Sequence, residues 1–218
     1  MRSAVACAQL PVVLAGSCNA SLGVLAGFDH SRCGAVWLDA HADFNSPDST
    51  ASGFFPGMSV AIITGHCYRD YWAQIGDNTP LGEESASVTS RPRPNKSASK
   101  AQASRLSNGT TDTQTGTSSP PSTTSRAAYA TSTCTLTSTR SLSSSTPAIA
   151  DEPVPGGLTL EQAETVIRGT ADRFRIRAAT LATHAPERDR EERTLQVALS
   201  VIELLADYAS NTDDGRDL

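Results

Sequence analysis

The stretch WLDAHADFN, residues 37–45, carries three side chains of the kinds that bind metal ions. The apolar run AVWLD (35–39) that leads into it predicts a buried strand. In an extended chain alternate residues point to the same side, so we expect Asp39, His41 and Asp43 to project together from the end of that strand. In open α/β sheets this carboxyl end is where ligands bind.

The chemistry of this trio indicates a divalent metal ion. Carboxylate oxygens combined with one imidazole nitrogen suit Mn²⁺ or a similar hard to borderline ion. The alternative is a polar turn in which an Asp side chain caps the chain after the strand. The spacing D-x-H-x-D is short, so it leaves both interpretations open.

The sequence before this stretch predicts an α/β fold. VVLAG (12–16) is a second buried strand, and residues 19–28 between the strands have helical spacing of apolar residues. Strand, helix and strand in about thirty residues indicate a βαβ unit and a parallel sheet. Residues 57–73 predict a further helix, broken at Gly65.

The C-terminal part returns to the same patterning. Thr159 to Gln162 form a capping box that opens a helix, and residues 193–209 have helical apolar spacing. Residues 176–181 between these helices predict a strand. We therefore assign 1–84 and 153–209 to one α/β domain, and 210–218 to a frayed tail.

The middle segment, 85–152, has a different composition. Ser and Thr occupy 31 of the 66 positions from 85 to 150, and Asp112 is the only acidic residue among them. Such a sequence cannot bury enough apolar surface to offset its conformational entropy. We therefore predict a low-complexity, disordered segment.

Composition also excludes several functional classes. A net charge of −5 and a pI near 5.3 give no basic footprint for nucleic acid. No apolar run approaches the roughly 20 residues that span a bilayer. The five cysteines are irregularly spaced, which favours a reducing compartment over a disulfide framework. We expect a cytoplasmic protein without nucleic-acid or membrane partners.

The N-terminus offers an alternative. Arg2 and the apolar residues up to Cys18 are similar to a secretory or lipoprotein signal. Gln9 and Pro11 interrupt the apolar run, and Ala15 stands where a lipoprotein signal carries leucine. An exported protein with a Ser/Thr-rich stalk therefore stays an alternative.

Four stretches resemble the metal-dependent ureohydrolase family of arginases, agmatinases and formiminoglutamases. WLDAHADFN with SPDSTASGFFPGMSVA (46–61) resembles its metal motif and substrate loop, and VLAGSCNASLG (13–23) its glycine-rich motif. PGGLTLEQAETVIRG (155–169) and IRAATLATHAPERD (176–189) resemble its later helix and last core strand. The resemblance implies a three-layer, arginase-like fold with a parallel sheet, which we expect to be incomplete here.

The resemblance also implies a site and a reaction. In that family two Mn²⁺ ions hold a hydroxide that attacks a guanidine or formimino carbon of a small molecule. Carried over, Asp39 would bridge both ions, and His41 and Asp43 would each bind one. Asn45 and Ser52 match positions that contact the substrate, and the family commonly forms homo-oligomers. The residue responsible for catalysis itself stays unassigned.

Several positions depart from the family pattern. Cys18 stands where the glycine-rich motif supplies a histidine ligand. A thiol can bind a metal but prefers softer ions, so Cys18 is a fourth candidate metal ligand. Pro56 stands at the histidine of the substrate loop, and the glutamate that recognises guanidinium falls near Thr183. His30 lies too close to Asp39 in sequence to belong to the motif, so we expect a surface residue.

The second half of the family's metal site is missing from the sequence. An Asp-x-Asp strand should precede PGGLTLEQ, but none occurs in residues 85–150. Residues 134–141 can be encoded by DNA that, when translated from two bases later, gives an Asp-x-Asp strand. This suggests that the middle segment is the product of a frameshift. The alternative is a genuine insertion that replaced βα units. The short stretch before the glycine-rich motif also implies a truncated start.

Three functional hypotheses follow. The first is a manganese-dependent, ureohydrolase-like hydrolase of C–N bonds in linear amidines, impaired because ligands are missing. The second is the exported stalk protein. The third is a non-catalytic α/β module that keeps a partner interface.

Overall fold

The computed structural model of the chain describes residues 3–4, 7, 9–75, 79–82, 86–89, 131–135 and 158–211. Its strands are β1 (Val12–Ala15), β2 (Cys33–Leu38), β3 (Ala86–Thr89), β4 (Thr131–Thr135), β5 (Arg175–Ile176) and β6 (Ala179–Ala182). Its helices are α1 (Ala20–Leu25), α2 (Ser59–Ile63), α3 (Arg69–Ile75), α4 (Leu160–Ala171) and α5 (Arg193–Asn211). Two 3-10 turns, His30–Arg32 and Phe55–Met58, precede β2 and α2.

Every strand pairing in these ranges is parallel. One set of strands runs in the order β3-β2-β4-β5, and the other pairs β1 with β6. Only residues 177–178 separate β5, in the first set, from β6, in the second. The predicted single strand 176–181 is therefore two short strands, and β1 and β2 are not neighbours in the sheet.

The side chains of β2 show how the layers form. Cys33, Ala35 and Trp37 belong to one apolar core, whereas Val36 and Leu38 contact another. This alternation follows from the two-residue period of a strand. A parallel sheet covered on both faces results, and this confirms the predicted three-layer α/β fold.

The first core lies under α1, α2 and α3. Val60, Ile62 and Ile63 of α2 and Trp72 of α3 are fully buried in it. Gly65 has a φ of +73°, which ends the helical run between α2 and α3. The helix predicted for residues 57–73 is therefore broken where expected, and the one predicted from residue 19 is shorter, because it ends at Leu25.

The second core lies under α4 and α5. Thr159 Oγ1 accepts a hydrogen bond from Gln162 N, and the Gln162 side chain accepts one from Thr159 N, so the predicted capping box is confirmed. Ile167 of α4 and Leu205 of α5 are fully buried and contact the sheet through Leu38 and Ala179.

The Ser/Thr-rich middle contributes two strands that its composition did not predict. β3 and β4 both pair with β2, and β4 lies between β2 and β5. Pairing with a buried neighbour offsets the weak local strand preference of residues 86–89 and 131–135. Disorder of the segment 85–152 as a whole stays a prediction. The rest of the predicted segment 85–152 and most of the tail 210–218 lie outside the described residues.

Candidate functional site

Asp39 and His41 are in contact directly beyond the end of β2. Asp39 is 3% exposed, and its Oδ1 accepts a hydrogen bond of 2.9 Å from the backbone N–H of His41. His41 Nδ1 lies 3.6 Å from the same oxygen. The carboxylate therefore orients the imidazole through both the backbone and the ring.

Asp43 reaches the site by a turn of the backbone. Its φ is +46°, and its carbonyl oxygen accepts a hydrogen bond of 2.9 Å from Val60 N, at the start of α2. Aspartate tolerates this left-handed conformation better than most residues. The expected extended geometry is wrong, because β2 ends at Leu38 and the chain bends at residues 40–41. Asp43 is nevertheless buried, as a ligand position requires.

Cys18 lies beside Asp43, in the loop that follows β1. It is 5% exposed; its Sγ lies 3.4 Å from the Pro56 carbonyl oxygen and 3.8 Å from Ser59 Oγ. Burial, followed by the negative charge of Asp43, raises the pKa of this thiol to about 12, although a hydrogen bond from Ser59 acts to lower it. The thiol is therefore protonated at neutral pH in the absence of a metal ion.

Asn45 and Ser52 lie on an exposed loop beside this cluster. Asn45 N donates to the Gly57 carbonyl oxygen at 3.0 Å, and Ser52 Oγ accepts a hydrogen bond of 3.3 Å from Phe54 N. Both side chains are exposed and available to a ligand. Their role in substrate binding stays a prediction.

The histidines outside the cluster lie elsewhere. His30 is buried rather than on the surface, because its ring is enclosed by backbone carbonyls and Trp72. His66 is exposed and packs on Phe44 with ring centroids 5.0 Å apart. His184 Nε2 lies 3.2 Å from Asp189 Oδ2.

Thr183 occupies the position expected to carry a guanidinium-binding glutamate. Its φ is +65°, and its N–H donates a hydrogen bond of 3.0 Å to the Ala15 carbonyl oxygen. It therefore stands beside the end of β1, from which the chain leads to Cys18. Its side chain is neutral and lacks the charge that would pair with a guanidinium group.

Sequence patterns did not single out Ser59, which contacts Cys18 from 41 residues away. Its hydroxyl donates to Asn19 Oδ1 at 2.8 Å and lies 3.0 Å from the Pro56 carbonyl oxygen. No local signal marks such a residue, because its importance depends on the approach of β1 and α2 in the fold.

A two-metal centre needs several donor side chains close together. In the described ranges, no three His, Cys, Asp or Glu side chains form a group that could hold a metal ion. Asp39 contacts His41, and Cys18 is close to Asp43. The residues described therefore do not fit a pair of manganese ions.

Among the same residues, no helix is long and apolar enough to cross a membrane.

The chain is similar to known proteins both in sequence and in fold. A model of the arginase family matches residues 1–97. The arginase of Bacillus caldovelox is 35% identical over 74 residues, which are 33% of this chain and 24% of that enzyme. The chain thus matches about a quarter of the length of this curated relative.

The fold is similar to arginases over a longer range. The crystal structure of arginase from Bacillus subtilis superposes with a TM-score of 0.71 at 20% identity, over 94% of this chain and 74% of that one. Arginase from Bacillus caldovelox superposes with a TM-score of 0.70 at 22% identity, over 94% of this chain and 71% of that one. The sequence is therefore similar to the arginase family over residues 1–97, and the fold is similar to that of solved arginases over 94% of the chain.

Proposed function

We propose that this chain is a ureohydrolase-type hydrolase of a non-peptide C–N bond in a guanidine or formimino group, and that it works poorly. The observation that carries the proposal is the placement of Asp39, His41 and Asp43 directly after β2, with Cys18 beside them. These groups are at the carboxyl edge of a parallel sheet, where α/β proteins bind their ligands. The arginase-family match over residues 1–97 supports the same class of reaction.

We propose manganese as the metal, bound singly or weakly. The carboxylates and the imidazole are suitable donors for Mn²⁺, whereas the thiol of Cys18 is not. A second ion would need further carboxylates, and residues 85–150 contain no Asp-x-Asp pair. The lack of a three-residue metal group among the described residues supports weak binding.

The proposed substrate is a small linear amidine, and the proposed setting is a homo-oligomer in the cytoplasm. Amino-acid guanidines, agmatine-like amines and formiminoglutamate-like compounds all fit this class. Asn45 and Ser52, exposed on the loop after Asp43, are proposed to contact the part of the substrate that does not react.

Titration of the purified full chain with Mn²⁺ in a calorimeter tests the proposal, followed by assays of urea, ammonia and formamide release. We expect at most one weakly bound ion per chain and little product. His41→Ala should abolish the binding, whereas His66→Ala, which changes an exposed histidine, should leave it intact. Cys18→His should tighten binding, because it replaces a protonated thiol by a neutral nitrogen donor.

Two results would contradict the proposal. Tight binding of two Mn²⁺ ions per chain would show that the site is complete. Binding that is unchanged by His41→Ala would show that the ion lies elsewhere. If neither the parent chain nor Cys18→His binds Mn²⁺ or releases product, the non-catalytic α/β module becomes the better hypothesis.

A further inference from the structure

An aromatic cluster, formed by Phe54, Phe55, Tyr68 and Tyr71, lies at the surface beside the candidate site. Phe54, Tyr68 and Tyr71 are 41–43% exposed, and they are three of the five large hydrophobic side chains that are exposed in the described residues. The ring of Phe55 meets those of Tyr68 and Tyr71 edge to face, with centroids 5.5 and 5.8 Å apart. Two separate segments of the chain thus bring their aromatic rings together.

The chain has few aromatic residues from which to build such a cluster. The whole sequence contains five Phe, four Tyr and two Trp, and four of these eleven residues belong to the aromatic cluster. Single exposed apolar residues are ordinary, whereas a contiguous exposed patch marks a binding site. The concentration of exposed rings at one place therefore points to a ligand.

The backbone of Tyr68 supports this interpretation. Its φ is +48°, in the left-handed region that a bulky side chain rarely adopts. Its carbonyl oxygen accepts a hydrogen bond of 3.0 Å from Trp72 N, which fixes it at the start of α3. Glycine would fit this backbone without strain. Strained residues of this kind cluster at ligand-binding sites, and here the strain places an aromatic ring beside Phe55.

One contact connects the aromatic cluster to the candidate metal ligands. Phe55 directly precedes Pro56, whose carbonyl oxygen lies 3.4 Å from Cys18 Sγ. Cys18 is in turn close enough to Asp43 for its charge to act on the thiol.

A second contact connects the cluster to the loop after Asp43. Tyr68 directly follows Cys67, whose Sγ lies 3.9 Å from the Asn45 carbonyl oxygen. The aromatic cluster therefore continues the surface on which Asn45 and Ser52 are exposed.

The charges around the aromatic cluster favour a cationic ligand. Between residues 44 and 75 the acidic residues are Asp48 and Asp70, and both are exposed. Arg69 is the only lysine or arginine in that range, and it donates a hydrogen bond to the Gly65 carbonyl oxygen. Aromatic faces attract cations, and the two carboxylates add to this attraction. An anionic ligand would meet the opposite conditions.

We propose that the aromatic cluster binds the unreactive end of the substrate and selects a positively charged end. This inference rests on the proposed function, in which the amidine carbon reacts beside Asp39 and His41. It narrows the substrate to a linear amidine with an ammonium group at its other end. Zwitterionic amino-acid ends and anionic, formiminoglutamate-like ends are disfavoured.

Titration of the full chain with agmatine, L-arginine and γ-guanidinobutyrate, followed by NMR of carbon-13-labelled tyrosine rings, tests this proposal. The three probes share a guanidinium group and differ in the charge of the other end. Tyr68→Phe and Tyr71→Phe assign the ring signals. We expect agmatine to shift both signals and to bind about two- to fivefold more tightly than γ-guanidinobutyrate for each ring that the ammonium group contacts.

Variants separate the aromatic rings from the general charge, because a net charge of −5 also attracts cations. Phe54→Leu and Tyr71→Leu keep an apolar side chain but remove a ring, so the preference for agmatine should fall by about two- to fivefold in each. Tyr71→Phe keeps the ring and should retain the preference. Leu199→Ala changes an exposed apolar residue of α5 and should have no effect.

Two results would overturn the proposal. The first is equal affinity for the three probes, or a preference that persists unchanged in both leucine variants. The second is concentration-dependent dimerisation of the parent chain that Phe54→Leu and Tyr71→Leu abolish, since the cluster would then be an interface between two copies. Failure of the proposed function gives a different pattern: no Mn²⁺ binding and no product, but a preference for agmatine that still depends on Phe54 and Tyr71.

Discussion

Asp189 is a buried carboxylate that ties the loop after β6 to the start of α5. It accepts hydrogen bonds from Leu195 N at 2.9 Å and from Thr194 N at 3.2 Å, and His184 Nε2 lies 3.2 Å away. Burial acts to raise the pKa of Asp189, but these hydrogen bonds outweigh it and hold the pKa below its ordinary value. The ionised form is therefore part of the folded structure.

The lowered pKa of Asp189 predicts acid sensitivity. Because the folded pKa lies below the unfolded one, the stabilisation is present above the unfolded value, about 3.9, and is lost as the pH falls through the folded value. Asp189→Asn should lower the free energy of unfolding by about 1–3 kcal/mol at neutral pH, with a smaller difference in acid. Urea denaturation at neutral pH and at acidic pH measures this difference in the free energy of unfolding. Glu187→Gln, which changes an exposed carboxylate, is the control. A loss that is the same at both pH values would contradict it.

Gly65 is the residue whose backbone allows the chain to turn between α2 and α3. Its φ is +73°, and a Cβ there would lie 2.6 Å from Cγ and 2.8 Å from Cβ of Pro80. Gly65→Ala should destabilise the chain by more than about 2 kcal/mol, because left-handed strain adds to the clash. Gly23→Ala, in α1 with open space around it, should stabilise by up to about 1 kcal/mol. Thermal unfolding of both variants checks the contrast, and equal effects would contradict it.

The sequence identified the residue types of the candidate site better than their geometry. Asp39, His41 and Asp43 were chosen because their chemistry suits a metal, and the fold does bury both aspartates. Asp43 does not continue the extended alternation from Asp39, because it adopts a positive φ, which the spacing of apolar residues cannot indicate. The contacts of Cys18 with Ser59 and Pro56 join distant parts of the chain, so a local pattern could not predict them.

At the level of elements, α4 begins at the capping box that the sequence predicts. Thr159→Ala removes the hydroxyl that accepts from Gln162 N and should cost about 1 kcal/mol of stability. Thr165→Ala, on the exposed face of the same helix, should be neutral or slightly stabilising because alanine has the higher helix propensity. Guanidinium denaturation followed by circular dichroism compares them. A larger loss for Thr165→Ala would contradict the capping assignment.

Strands were predictable where their own residues are apolar. β1 and β2 were expected from VVLAG and AVWLD, and both are present. β3 and β4 were missed, because ASVT and TSTCT carry little apolar surface and become strands beside β2. The sequence also does not predict the division between β5 and β6. This division depends on their different partners, because β5 pairs with β4 and β6 pairs with β1.

At the scale of the molecule, the two cores meet at β2. β2 supplies side chains to both cores, and β1 depends on β6 from the C-terminal part for its pairing in the described residues. A change that destabilises one core should therefore also destabilise the other, and the N-terminal and C-terminal parts should unfold together. Both tryptophans, Trp37 and Trp72, lie in the first core, so their fluorescence reports on that core alone.

This arrangement predicts the effect of a change in the second core. Leu205→Ala removes a fully buried side chain of α5 and should cost about 2–5 kcal/mol. If the molecule unfolds as one unit, the fluorescence midpoint in urea should fall together with the midpoint from circular dichroism. Leu199→Ala, on the same helix but 42% exposed, should move neither by much. A fluorescence midpoint that stays fixed in Leu205→Ala would show that the first core, with Cys18 and Asp43 at its edge, unfolds independently of α5. The candidate site would then depend on the N-terminal part alone.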